Sequence, residues 1–134
     1  MELKTAVAAL AALAQETRLA AYRLLVQAGP AGLAAGRIAE ALAVSPATLS
    51  FHLKEMAYAG LIQSRQEGRW VIYSANYPRM TTLLAYLSEN CCADAAEPPA
   101  CCAPIQAAAE IAVMAPPSEA GKIDPAALGS VRGP

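Results

Sequence analysis

No cysteine occurs before Cys91, and His52 is the only histidine in the chain. All four cysteines sit in "ENCCADAAEPPACCAP", Glu89 to Pro104, as two adjacent pairs with eight residues between them. Packing does not ask for this, because cysteines that serve a core are normally buried singly and would be scattered over apolar helix faces. Long apolar runs are also missing. The opening "MELKTAVAALAALAQETRLAAY" is broken by Glu2, Lys4, Gln15, Glu16 and Arg18, and no basic segment leads into a clean hydrophobic run with a cleavage site. The pattern argues against a membrane span and an export signal, so a soluble, cytoplasmic chain with reduced thiols is expected. There is no phosphate-cradling loop ahead of a cysteine, no C-x-x-C on a βαβ unit and no spare general base, so no enzyme is expected either. No internal repeat is visible.

What the 134 residues offer is room for one ordinary domain and a tail. The formal charge of −1 hides an asymmetry: through Cys92 eight Lys/Arg stand against six Asp/Glu, and from Ala93 onward two stand against five. A mildly basic body with an acidic tail is compatible with a nucleic-acid partner.

Leu3, Val7, Leu10 and Leu13 recur at helical spacing and predict a first helix over 3–14 with one apolar stripe. A second helix over 15–28 aligns Leu19, Tyr22 and Val26 with Leu25 beside them, and Gly29-Pro30 stops it. After a short loop, "GRIAEALAV" reads as a short third helix with Ile38 and Leu42. "SPATLSFHLKEMAYAG" opens a fourth, with Ser45 as N-cap, Pro46 at the first position and Gly60 at the end. Two short helices joined by a tight turn are a helix-turn-helix candidate. "LIQSRQ" and "RWVIYSA", parted by Glu67-Gly68, predict a hairpin. A last helix over 78–90 places Met80, Leu83, Leu84 and Leu87 on one face. The expected organisation is a domain over 1–92, a cysteine-containing loop over 93–104 and an Ala/Pro-rich tail over 105–134. That tail is too poor in large apolar side chains to offset its ordering entropy, beyond a transient helix near 106–114.

This order describes a mainly α winged helix-turn-helix of about five helices with one β-hairpin wing. Over roughly residues 5–90, the blocks "LAQETRLAAYRLL", "IAEALAVSPATLSFHLKEMAYAGLI" and "RQEGRWVIYS" resemble the ArsR/SmtB family of winged-helix metal-responsive repressors. The resemblance implies a homodimer, joined through the first and last helices, that binds double-stranded operator DNA and leaves it when a metal or metalloid ion binds.

On the fourth helix, at about 100° per residue, Leu49, Leu53 and Met56 form the buried stripe and Ala47, Phe51, Lys54 and Tyr58 lie opposite, with Thr48, Ser50 and His52 on the flanks. A recognition helix reads the major groove near its N-terminus. Pro46, Ala47, Thr48, Ser50, Phe51 and His52 are therefore base-reading candidates, and Lys54 is a phosphate candidate. The family tends to carry polar residues where Pro46 and Ala47 stand, and often a basic one at Phe51. An exposed Ala and Phe suit thymine methyl groups better than guanine. The competing readings are a half-buried, hydrogen-bonded His52 and a Phe51 packed on the wing or first helix. At the hairpin tip Arg65, Gln66 and Arg69 are candidates for phosphate or minor-groove contact, against a solvated basic turn.

The familiar cysteine pair ahead of the recognition helix is absent, since that region reads "AGRIAE", and a His/Asp/Glu cluster on the last helix is absent too. Thiolates select soft ions. Cys91, Cys92, Cys101 and Cys102 are thus the candidate inducer site for trivalent arsenic, As(III), with Sb(III) or a methylated trivalent arsenical as further ligands. The expected set is Cys91 and Cys92 with either Cys101 or Cys102. Tetrahedral zinc, disulfide-based redox sensing and an inert tail are the alternatives.

Overall fold

Helix boundaries in this chain are set by residues that satisfy loose backbone groups. The computed structural model describes residues 1–97 and Ala100. Within them the chain runs α1 (Leu3–Leu13), α2 (Glu16–Ala28), β1 (Leu33–Ala34), α3 (Ala35–Leu42), α4 (Pro46–Tyr58), β2 (Ile62–Glu67), β3 (Trp70–Ala75) and α5 (Tyr77–Ser88). Gln15 stands extended before α2 and accepts the Arg18 N–H through its side chain at 2.8 Å. Ser45 does the same for Thr48 at the start of α4, with Pro46 behind it where no amide proton is needed. Asn76 opens α5 by accepting from the Arg79 N–H, while its amide donates to the Gly60 carbonyl at 2.9 Å and so ties the helix to the end of α4.

The turn between α3 and α4 is tight because Ala43 adopts a left-handed conformation, φ +52°. Its N–H and that of Val44 return to the carbonyls of Glu40 and Ala39, closing a Schellman motif. The two helices of the helix-turn-helix are thereby held three residues apart in sequence. Beside them lies an antiparallel sheet of order β1-β3-β2, with Leu33 opposite Tyr73 and Ile62 opposite Ala75. The hairpin loop is Gly68-Arg69, one residue later than expected, and Gly68 supplies the positive φ of +59° that such a turn needs at its first position. β1 is a correction: the segment expected as loop pairs with β3. It can do so because Gly32, at φ +73°, passes so close to the Tyr73 carbonyl that any Cβ there would collide with it.

The core is built around Leu25, Ile38, Leu49, Leu53, Met56 and Leu61, all fully buried. The stripe expected for α4 therefore faces inward. That of α1 does so only through half-buried Leu13. Its buried residues are Ala6 and Ala9, whereas Leu3, Val7 and Leu10 are exposed. Small side chains let α1 approach α2, α4 and α5, and the leucines are left on the outer side. On α5 only Leu83 is buried; Leu84 and Leu87 are each 57 % exposed. Leu19 of α2 is likewise exposed, and Ala21, Tyr22 and Leu25 fill the core in its place. Burial pushes the Tyr22 hydroxyl up to about 12, with nearby Tyr77 adding to the shift. No helix among the described residues is long and apolar enough to cross a membrane.

The last helix is shorter than expected. Ser88 returns its hydroxyl to the Leu84 carbonyl at 2.8 Å, Glu89 is extended and Asn90 is left-handed at φ +56°. Asn is among the few residues that tolerate that conformation, so the helix stops before the cysteines. Cys91 and Cys92 lie in consecutive turns beyond α5, not on its final turn. Cys101, Cys102 and the tail over 105–134 lie outside the described residues, as do the helix expected near 106–114 and half of the cysteine-containing loop expected over 93–104.

Candidate nucleic-acid interface and thiol pair

Because Leu49, Leu53 and Met56 anchor α4, the residues between them are forced outward. Pro46, Ala47, Thr48, Ser50, Phe51 and Lys54 are all exposed, in one continuous strip along the helix. Ser45 and Thr48 share a 2.8 Å hydroxyl hydrogen bond in which Ser45 donates, so the Thr48 hydroxyl keeps its own proton for another acceptor. Phe51 is 60 % exposed and meets the edge of the His52 ring at a centroid distance of 6.0 Å, rather than packing on the wing or on α1. The strip combines a hydroxyl pair, a methyl-sized side chain and one aromatic ring, flanked by the Lys54 ammonium.

His52 is the exception. It is half-buried, and its Nδ1 lies 3.4 Å from the Arg18 guanidinium of α2. Arg18 was legible in the sequence only as one of the residues that break the opening apolar run. Its reach to a histidine 34 positions away follows from how α2 crosses α4 and has no local signal.

The wing carries its three candidates in unlike states. Arg65 is already engaged: it donates to the carbonyls of Ala31 at 2.6 Å and Pro30 at 3.2 Å, and through Nε to Glu67 at 3.1 Å. It braces β2 against the loop that leads into β1. The Gln66 amide turns back to the Gly68 carbonyl. Arg69 is exposed and makes no hydrogen bond or ion pair among the described residues.

At the far end, the Sγ atoms of Cys91 and Cys92 are 3.7 Å apart and both residues are half-buried. Two sulfurs that share one ion in a tetrahedral site with bonds near 2.3 Å stand about 3.8 Å apart, close to the separation of this pair. Among the described residues no group of three or more His, Cys, Asp or Glu gathers into a metal site.

A family model described as a helix-turn-helix domain matches residues 13–65, from the end of α1 into β2. No curated protein matches the chain. The match covers both helices of the motif and the support helix before them, and together with the fold it supports a DNA-binding regulator of the helix-turn-helix class.

Proposed function

We propose that this regulator is a homodimeric repressor of the ArsR/SmtB type which leaves its operator when trivalent arsenic, or antimony, binds the cysteine thiolates. The observation that carries the reading is the Cys91–Cys92 pair, with sulfurs 3.7 Å apart, directly beyond a helix that packs on α1. Cys101 or Cys102 supplies a third sulfur. Each thiol that displaces a hydroxide of arsenous acid forms one As–S bond and releases one water, with no change of oxidation state. A methylated trivalent arsenical has two exchangeable hydroxides and is satisfied by Cys91 and Cys92.

Dimerisation is supported by the outward leucines of α1 and α5. Leu3, Val7, Leu10, Leu84 and Leu87 are large, apolar and exposed on two helices in contact with each other. Large apolar side chains left exposed on two neighbouring helices suit an association surface. Binding of the ion closes the segment after α5 onto its end. This alters the packing of α5 with α1 and hence the separation of the two recognition helices, which must match about one DNA turn. A coupling of about 1–3 kcal/mol, or 5–150-fold in affinity, is typical of such regulation.

The sulfur separation of 3.7 Å is close to that of a tetrahedral zinc site, so zinc is the second reading. The test is fluorescence anisotropy of the reduced protein on DNA from upstream of its own coding sequence, titrated separately with arsenite and with zinc. Arsenite is expected to release the wild type and to leave a Cys91→Ser/Cys92→Ser variant bound. Release by zinc alone selects the second reading, and absence of DNA binding overturns both.

A further inference from the structure

Arg18 is fixed from both sides. Its backbone N–H donates to the Gln15 side chain, and its Nε donates at 2.6 Å to the carbonyl of Ala12. That carbonyl belongs to the last turn of α1, where no intrahelical donor remains for it. What is left of the guanidinium points at His52, with NH1 3.4 Å from Nδ1. Arginine carries only donors and does not lose its proton in proteins. The contact is attractive only if Nδ1 presents a lone pair, which a neutral imidazole does when its proton is on Nε2.

We infer that Arg18 is a positioning residue for the DNA-reading helix: it holds His52 in the Nε2–H form, so that α4 offers a fixed donor there, and it links that donor to the C-terminal end of α1. The inference rests on the reading of α4 as the helix that contacts DNA. Such a donor suits a phosphate oxygen or a purine N7 and cannot serve an exocyclic amine. The same guanidinium joins Ala12 to His52. Displacement of α1, which carries part of the proposed dimer surface, therefore pulls on a group of the recognition helix.

The chain's single histidine makes the test direct. Long-range proton–nitrogen correlation spectra of uniformly labelled protein in mildly alkaline buffer report the tautomer of His52 alone. The wild type is expected to show protonated Nε2 and bare Nδ1, and Arg18→Lys to show a mixture. Operator affinity is then measured for Arg18→Lys with His52 or His52→Gln, since a glutamine amide nitrogen mimics Nε2 without needing a tautomer. Arg18→Lys is expected to weaken binding roughly 3–10-fold beside His52 and less than about twofold beside Gln. His52→Asn, which mimics Nδ1 instead, is expected to bind more weakly than His52→Gln. Loss of the Ala12 anchor acts equally in both backgrounds, so the ratio isolates the histidine. A mixed tautomer in the wild type, or an equal loss in both backgrounds, overturns the inference. A locked tautomer released by Arg18→Lys in a protein that binds no DNA overturns the assignment of α4 while leaving the Arg18–His52 geometry standing.

Discussion

Arg65 and Arg69 are both basic residues of the wing, and their surroundings give them different work. Arg65 uses three of its N–H groups on Ala31, Pro30 and Glu67, all within the protein. Its pairing with half-exposed Glu67 contributes little, but the two carbonyls are left short of a charged donor if it is removed. Arg65→Ala is expected to lower stability by about 1–2 kcal/mol, read as a fall in the urea midpoint. Arg69→Ala is expected to leave the midpoint unchanged and to reduce the slope of log affinity against log salt by about one, as loss of a single phosphate contact does. Equal salt slopes for Arg69→Ala and wild type would return the wing tip to a solvated turn. The sequence marked both arginines alike because each lies near Gly68. Only the distant carbonyls of the loop before β1 separate them.

At the scale of elements, local chemistry was a good guide where a cap or a turn decides the outcome. Ser45-Pro46, Gly29 and Gly68 each stand where a helix or strand boundary was expected. It was a poor guide to facing. Leu3, Val7 and Leu10 are the most apolar positions of α1, yet the core takes Ala6 and Ala9, because close helix packing favours small side chains and nothing in a single chain says what covers the leucines. β1 was illegible for a related reason: two residues carry no periodicity, and their pairing depends on β3 forty residues on. The exposed leucines have a direct consequence. Leu10→Glu with Leu84→Glu is expected to convert the proposed dimer to a folded monomer with an unchanged far-ultraviolet spectrum, as measured by analytical ultracentrifugation. A core change such as Leu53→Ala, by contrast, costs about 2–5 kcal/mol in stability. A wild type that sediments as a monomer at micromolar concentration would remove the dimer from the proposed function.

For the whole molecule, the clustering of cysteine was legible from spacing alone, but the meeting of the Cys91 and Cys92 sulfurs was not. It goes with the backbone beyond Ser88, where extended Glu89 and left-handed Asn90 end α5 and Cys92 is itself left-handed, with the two sulfurs 3.7 Å apart. In the proposed dimer the two copies of α4 would stand a fixed distance apart, which calls for operator half-sites about one turn, 34–36 Å, apart. Inserting about 5 bp between them rotates one half-site to the opposite face of the duplex. The wild type is then expected to lose on the order of 10–100-fold in affinity, measured by anisotropy at fixed salt. The Leu10→Glu/Leu84→Glu variant is expected to bind weakly and to the same extent on both DNAs. If the wild type also ignores the insertion, each recognition helix binds alone and a change in their separation cannot be how an ion releases the DNA. If it responds, adding arsenite should narrow the gap between the two DNAs as well as lower both affinities. A ligand that disturbs the distance between half-site contacts takes more from the correctly spaced operator than from one already misplaced.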